Sequence, residues 1–311
     1  MKTKIKIVEP TKIIRPFDNV EVRLFGRNGG KTDWSIKPLV LENVLKARVL
    51  PPVYILVDRV AREAGIKTLY APRPSEFNAQ ICASPDLREE IKSEAPVPIL
   101  TQEFSDYESM MDDSEYKEWA EREGVSIHRG VNADGCDVPK GSAFWLSSAD
   151  CPVLIVTDGR RVICTHCGYK SLVDRGALRG TPTRPYFSVV GAVLKEFIGR
   201  NRVNLRAFVT LGIGPHWSEA SETELGALAF YERLGCYPRE SYRVGRKKLN
   251  IVELVRCQCL NRGIGNVRTD DNDTFADKDK DGKFLWWSYE RAMKKSPADK
   301  LKRNGVMVVH N

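Results

Sequence analysis

The sequence has 311 residues, of which 42% are hydrophobic, so it is long enough for one large domain or two modest ones. Charged residues make up 29% and aromatic residues 9%, which excludes a chain that is disordered throughout. The formal net charge of +8 favours anionic partners without choosing among them. No apolar run approaches the roughly 20 residues of a membrane helix, and residues 1–8 lack the apolar core of a signal peptide. We therefore expect a cytoplasmic protein without a membrane partner, whose eight cysteines stay reduced.

The first part of the chain predicts few elements. Alternating lysine and isoleucine in residues 1–8 predict a strand, and Val20–Phe25 predicts a second one that ends in a glycine-rich turn at residues 26–30. The short apolar run 53–57 fits either a strand or the start of a helix, and the acidic residues 103–123 predict a helix with a solvated face. We treat residues 1–124 as a divergent N-terminal part of the same domain.

Residues 125–311 are more informative. Residues 153–157 and 161–165 are apolar, β-branched runs that flank Asp158-Gly159, a strong hairpin signal. An apolar stripe predicts a helix over residues 187–198, and residues 205–211 predict a buried strand that ends in the Gly-Ile-Gly-Pro turn. A further helix is predicted over residues 247–260, with Gly263 just past its end. This irregular interleaving predicts an α+β fold, with mixed sheets flanked by helices in a single large domain.

The hairpin brings two reactive side chains together. A two-residue turn at Asp158-Gly159 places Cys151 directly opposite His166 on the same face, where Cβ atoms lie about 4.5–5.5 Å apart. A thiolate and an imidazole would then be within reach of one metal ion, or of each other. In this register Pro152 forms a non-hydrogen-bonded pair with Thr165, where its missing N–H is tolerated.

A catalytic zinc site usually has three protein ligands and an open position. The other three histidines of the chain are His128, His216 and His310. We expect His310, the penultimate residue, to be solvated. His128 and His216 both stay open as the third ligand, although a lone histidine is more often a structural residue.

Two blocks of the sequence resemble the signature of the YfiH-type laccase-domain family. Residues 148–153, Ser-Ala-Asp-Cys-Pro-Val, are similar to its T-A-D-C-x-P-V, and residues 165–172, Thr-His-Cys-Gly-Tyr-Lys-Ser-Leu, to its A-H-A-G-W-R-G-L. Residues 211–215, 286–291 and 304–307 are similar to its later G-P-A-I-G-P, F-F-S-Y-R-R and G-R-M motifs. The resemblance covers about residues 125–311 and rests on the order of these blocks.

The resemblance implies a zinc ion held by His128, Cys151 and His166. It also implies cleavage of purine nucleosides by phosphate, with adenosine deamination as a further activity. Asp150 would orient a ligand, and Lys170 and Arg291 would contact phosphate or ribose. A nucleic-acid partner is not expected.

The chain departs from the family pattern at several of these positions. Pro152 follows Cys151 directly, and Tyr169 and Lys170 replace a tryptophan and an arginine. His216-Trp217 stands where the family has a cysteine pair, and only part of the motif before His128 matches.

Two other functions use the same residues. In a metal-free cysteine hydrolase, such as an amidase acting on a cell-wall precursor, Cys151 would be the nucleophile and His166 its base. A catalytically inactive basic binding protein is the third possibility. We interpret Cys164, Cys167, Cys257 and Cys259 as buried thiols, and residues 277–282 as an exposed hairpin insertion.

Overall fold

The computed structural model describes residues 8–35, 52–72, 74, 81–82, 127–128, 133–173, 188–233, 235 and 238–311, without the side chains of 52–55, 81–82 and 127–128. Their strands are β1 (Lys12–Phe17), β2 (Val20–Phe25), β3 (Leu69–Tyr70), β4 (Ile81–Cys82), β5 (Ile127–His128), β6 (Gly135–Asp137), β7 (Ala143–Ser148), β8 (Val153–Thr157), β9 (Val162–His166), β10 (Arg206–Thr210), β11 (Asn266–Thr269) and β12 (Asn304–His310).

The α-helices of the described residues are α1 (Pro52–Glu63), α2 (Tyr169–Leu172), α3 (Val189–Lys195), α4 (Glu222–Arg233), α5 (Arg239–Tyr242), α6 (Ile251–Asn261) and α7 (Tyr289–Lys295). Short 3-10 turns occupy Asn28–Gly30, Arg202–Asn204 and Pro297–Asp299.

The strands form two mixed sheets. The first sheet has the order β1-β2-β12-β7-β3-β5, with parallel pairing only from β7 outward to β5. The second has the order β11-β10-β8-β9-β6-β4, antiparallel in the centre and parallel at both edges. β2 pairs with β12, so strands from the two ends of the chain lie side by side in the first sheet.

The two sheets pack face to face. Val22, Leu24, Val306 and Val308 of the first sheet share one buried cluster with Val153 and other residues of the second. Side chains alternate along a strand, so the next residues of β12 and β8 point to the outer faces. The fold is therefore a four-layer α/β/β/α arrangement in a single domain.

Helices cover both outer faces. Met307 and Val309 pack with Val57 and Val60 of α1. On the far side, Leu154 and other residues of the second sheet pack against α3, α4 and α6. β8 is thus buried on both faces, which explains its uninterrupted apolar sequence.

Several predicted elements are confirmed. The structure has the strand Val20–Phe25, the left-handed turn that follows it and the strand Val153–Thr157. The predicted helix over 187–198 is shorter, and the one over 247–260 begins later, where the Asn250 side chain caps it by accepting the N–H of Glu253. Of the strand predicted over residues 1–8, residues 1–7 lie outside the described residues, as does the helix over 103–123.

Residues 53–57, for which a strand or the start of a helix was predicted, belong to α1, so the helix alternative is confirmed. One strand differs from the prediction. The strand β1 was missed because it contains Arg15 and Pro16, which weaken a strand pattern. Its edge position accounts for the proline, since an edge strand has one side without a partner.

No helix within the described ranges is both long and apolar enough to cross a membrane.

Candidate functional site

The candidate site lies where the chain passes from one sheet to the other. β7 ends at Ser148 in the first sheet and β8 begins at Val153 in the second, so four residues, 149–152, make the crossing. The Ser148 hydroxyl donates to the Cys151 carbonyl at 2.6 Å, and the Asn304 amide donates to the Ala149 carbonyl at 3.3 Å. The crossing segment is therefore tied to both of its neighbours in the first sheet, β7 and β12.

Asp150 fixes the middle of this segment. Its carboxylate accepts the Thr274 hydroxyl at 2.6 Å and the backbone N–H of Glu290 at 2.8 Å, while its carbonyl accepts the N–H of Ile213 at 3.0 Å. Burial raises the pKa of this carboxyl, and the hydrogen bonds from Thr274 and Glu290 act in the opposite direction. These contacts make Asp150 a positioning residue, since they hold in place the backbone on which Cys151 is mounted.

The hairpin register differs from the predicted one. Val153 pairs with His166 and Thr157 with Val162, so the connection has four residues, 158–161, and the two-residue turn was wrong. Asp158 causes this difference, because its carboxylate accepts the N–H groups of Arg160 at 2.9 Å and Arg161 at 2.8 Å and so closes a wider loop.

The shift moves the pairing by two residues and therefore leaves the faces of both strands unchanged. The N–H of Cys167 donates to the Pro152 carbonyl at 2.8 Å, which continues the pairing beyond β8. Pro152 thus meets Cys167 rather than Thr165, and Cys151 falls opposite Gly168 rather than opposite His166.

Cys151 and His166 nevertheless converge over Gly168. A Cβ atom at Gly168 would lie 3.6 Å from the Sγ of Cys151, 3.6 Å from the Nε2 of His166 and 2.9 Å from its Cε1. The thiol and the imidazole nitrogen are thus at most twice 3.6 Å apart, and the missing side chain of Gly168 leaves them their space. His166 is 7% exposed, and its backbone N–H donates to the Asp134 carbonyl at 2.8 Å.

Cys151 differs from the other described cysteines in its exposure. It is partly exposed, whereas Cys136, Cys164, Cys167, Cys257 and Cys259 are buried. Burial is the main cause that raises the pKa of the Cys164 and Cys167 thiols well above the usual range, and that of Cys257 to about 11. The prediction of buried thiols at these positions is confirmed.

Tyr169 borders the site from the start of α2. Its hydroxyl forms a hydrogen bond with the Ser218 hydroxyl. Burial raises the pKa of the phenol above its usual range, while the bond with Ser218 acts in the opposite direction and nearby Cys151 adds to the increase. Tyr169 therefore stays protonated and links α2 to the loop that follows β10.

The two expected phosphate contacts have different surroundings. Lys170 follows Tyr169 in α2 and is half-buried. Arg291 is 6% exposed and donates to the carbonyls of Thr274, Phe275 and Trp286. Burial lowers the Arg291 pKa to about 10, and nearby Arg27 adds to this effect. Arg291 thus holds the 274–286 segment around Asp150.

The structure also places the other histidines. His216 is exposed, and the described side chains contain no group of three or more His, Cys, Asp and Glu that could hold a metal ion. His310 is only 3% exposed and its Nδ1 lies 2.7 Å from the Val138 carbonyl, so the expected solvated side chain was wrong. The backbone of His128 ends β5, and its side chain lies outside the described residues.

Comparisons with known proteins show which solved structures share this fold. No family model and no curated protein matches the sequence. The Bacillus licheniformis hypothetical protein YfiH matches with a TM-score of 0.61 and 13% identity, over 98% of this chain and 97% of that one. The fold is YfiH-like.

Two further structures agree. YlmD from Geobacillus stearothermophilus matches with a TM-score of 0.58 and 14% identity, over 96% of this chain and 94% of that one. A Neisseria meningitidis protein of the DUF152 family model matches with a TM-score of 0.56 and 15% identity, over 95% of this chain and 96% of that one. At these identities the comparison shows the fold, and this YfiH-like fold extends well beyond residues 125–311, where the sequence motifs lie.

Sequence reasoning missed the residues that position the site. Thr274 lies in none of the family-like blocks, whereas Ser148 and Asn304 begin two of them but were assigned no role. Gly168 of the second block matters because a side chain there would meet both Cys151 and His166.

A cavity of about 710 Å³ lies elsewhere, among α4, α5 and α6, and its lining includes Arg239, Arg256 and Cys257. The Cys257 thiol, whose pKa is raised to about 11, is a poor nucleophile at neutral pH. The residues suited to catalysis or metal binding, Cys151 and His166, therefore lie at the crossing segment and not in this cavity.

The close approach at Gly168 makes a testable prediction. Gly168→Ala is compatible with the backbone, since φ is −80°, but its methyl group would lie 2.9 Å from His166 Cε1 and must displace the ring. We expect Cys151 to be alkylated first by iodoacetamide in the wild type, and several-fold more slowly in Gly168→Ala. Gly245→Ala, where a Cβ meets nothing within 4 Å, is the control, and equal rates in both variants would contradict the geometry.

The buried carboxyl of Asp150 predicts a pH dependence. A raised folded-state pKa means that its contribution to stability is fully present below the usual value of 3.8 and is lost as the pH rises through the raised value. Asp150→Asn removes this dependence while retaining hydrogen-bonding atoms. We expect urea unfolding between pH 4 and pH 7 to show the variant gaining stability relative to wild type as the pH rises, by up to about 1.4 kcal/mol per pH unit. A constant difference would mean that the pKa of Asp150 is not raised.

Proposed function

We propose that this protein is a zinc-dependent purine nucleoside phosphorylase that converts adenosine or inosine and phosphate into the free base and ribose 1-phosphate. Adenosine deamination, which the family resemblance implies, is part of the proposal. The observation that carries it is the convergence of the Cys151 thiol and the His166 imidazole over Gly168. The YfiH-like fold and the two signature blocks support it.

The residues present fit a zinc ion. Thiolate sulfur and imidazole nitrogen are the ligands that zinc prefers, and Cys151 is partly exposed and within reach of an incoming ion. His128 is the third ligand that the family resemblance implies. Among the described side chains, His216 forms no metal-holding group of three with Cys151 and His166. Bound zinc would supply Lewis-acid chemistry to a phosphate or a water molecule. A reducing, cytoplasmic location belongs to this proposal, since zinc binding needs the Cys151 thiol.

In this reaction a phosphate oxygen bonds to C1′ of the ribose while the bond from C1′ to the purine nitrogen breaks. The proton that the hydrogen phosphate loses moves to the nitrogen of the departing base. In this proposal Lys170, two residues after Gly168, provides a positive charge for the phosphate. Ser148 and Asp150 act earlier, by fixing the backbone of Cys151 before substrate arrives. Arg291 contributes indirectly, because it holds the 274–286 segment against Asp150.

The partial exposure of Cys151 next to His166 also favours a second candidate, the metal-free cysteine hydrolase. There the imidazole would accept the proton of the thiol, and the thiolate would attack a carbonyl carbon. Metal content separates the two functions, because one zinc per chain supports the phosphorylase and none supports the hydrolase. Zinc-loaded protein that binds nucleic acid in a salt-dependent way without any turnover would indicate the inactive basic binding protein.

Removal of the metal ligands tests the proposal. We expect wild-type protein to contain about one zinc per chain and to release base and ribose 1-phosphate from adenosine or inosine. Cys151→Ala should lose both zinc and turnover, because it removes the anionic ligand. His128→Ala should lower zinc occupancy, and His216→Ala should not. The measurements are zinc content by mass spectrometry and product formation by chromatography.

Cys257→Ala is the matched cysteine control, since Cys257 lines a cavity whose lining does not include Cys151 or His166, and it should keep both zinc and activity. Turnover that survives Cys151→Ala would place the chemistry elsewhere in the molecule. Zinc-loaded wild type that turns over no purine nucleoside would defeat the phosphorylase.

The role of Lys170 is tested by how the reaction rate depends on phosphate concentration. Lys170→Ala should raise the KM for phosphate about 10-fold or more, as expected for the loss of a charge-assisted contact, while zinc content stays unchanged. Lys195→Ala, an exposed lysine of α3, is the control. An unchanged KM in Lys170→Ala would show that another group holds the phosphate.

A further inference from the structure

Trp217 has an unusual environment for a tryptophan of this protein. It is 38% exposed, whereas the described tryptophans Trp34, Trp145, Trp286 and Trp287 are at most 2% exposed. Its ring stacks on Phe275, with centroids 4.2 Å apart and planes inclined by 10°. One part of the indole is thus packed against an aromatic ring while a large part is open to solvent.

The loop that carries Trp217 is tied to the candidate site at its start. The N–H of Ile213 donates to the Asp150 carbonyl at 3.0 Å, one residue before Cys151. The N–H of Gly214 donates to the Asp273 carboxylate at 2.9 Å, and the N–H of Trp217 closes a turn onto the Gly214 carbonyl at 3.1 Å. Only a short turn therefore separates Trp217 from the residue that holds the crossing segment.

The end of the loop is tied to the site as well. Ser218 bonds to Tyr169, which follows Gly168, the residue over which Cys151 and His166 converge. Phe275, the stacking partner of Trp217, directly follows Thr274, whose hydroxyl bonds to Asp150. Trp217 is thus held between two groups of residues that both contact the site.

The backbone that leads into the loop is also constrained. Leu211 has a φ of +58°, in the left-handed region that non-glycine residues rarely adopt, and its side chain is fully buried. Such a conformation persists only where surrounding contacts fix it. The indole is therefore presented by a pre-ordered loop, so little conformational entropy would be lost when a ligand stacks on it.

We propose that Trp217 is the stacking surface for the purine base of the substrate, with the ribose directed toward Cys151 and His166. This inference rests on the proposed function and names the residue that recognises the base. A flat, partly exposed indole backed by a second ring binds a planar heteroaromatic group through its face, and such stacking contributes about 1–3 kcal/mol per base. Trp217 is then a specificity-determining residue that takes no part in bond cleavage.

The test measures binding rather than turnover. Inosine, which has no amino group to remove, and, separately, ribose 1-phosphate are titrated into full-length protein without phosphate, with Kd values from isothermal titration calorimetry. Trp217→Ala should weaken inosine binding about 5- to 150-fold, the ratio that corresponds to 1–3 kcal/mol, and should leave ribose 1-phosphate binding unchanged. Trp217→Phe keeps an aromatic face and should recover most of the affinity. Val203→Ala, at a 68% exposed apolar residue, is the control.

The outcomes separate this inference from the proposed function. Inosine binding that depends on Trp217 without phosphorolysis supports the stacking surface and defeats the phosphorylase. Phosphorolysis that is unaffected by Trp217→Ala supports the phosphorylase and overturns the stacking surface. Equal weakening of inosine and ribose 1-phosphate binding would mean that the variant disturbs the whole loop, and it would overturn the stacking role, as would wild-type protein that fails to bind inosine.

Discussion

The site depends on one constraint, which is that the chain crosses between two packed sheets in four residues, 149–152. A segment this short has backbone groups that neither sheet can pair, and buried unpaired groups are costly. Neighbouring residues satisfy them. The Ser148 and Asn304 side chains donate to the carbonyls of Cys151 and Ala149, and the N–H of Ile213 donates to the Asp150 carbonyl. The Asp150 carboxylate in turn accepts the Thr274 hydroxyl and the N–H of Glu290. The same bonds that make the crossing possible also immobilise Cys151. Fold stability and site geometry are thus coupled, because both use the buried carboxylate of Asp150.

The face on which Cys151 and His166 lie could be predicted from the sequence, whereas their pairing could not. Alternation along a strand has a period of two, so any even error in register leaves each side chain on its predicted face. The hairpin prediction erred by two because Asp158 captures two backbone N–H groups and widens the turn. An error of one residue would have separated the two side chains. The strands β2 and β8 were predictable because they are buried and rich in apolar, β-branched residues. The edge strand β1, which contains a proline, was not predictable in this way.

The polar residues around the site were beyond sequence reasoning for a different reason. Thr274 and Glu290 meet Asp150 across more than a hundred residues of chain, and no local pattern marks such a contact. His310 shows the same limit, because proximity to the chain end suggested a solvated residue. β12 instead lies between β2 and β7, so the last histidine of the chain is covered by strands on both sides. Local sequence predicts secondary structure, while the position of a strand within a sheet depends on pairings that are distant in sequence.

Two departures from the family resemblance meet at one hydrogen bond. Tyr169 stands in place of a tryptophan, and the loop with His216-Trp217 in place of a cysteine pair continues into Ser218, whose hydroxyl bonds to that of Tyr169. A buried phenol needs a partner for its hydroxyl, and this loop supplies one. The two departures therefore satisfy each other's hydrogen-bonding groups, and Cys151 and His166 still converge over Gly168 beside them.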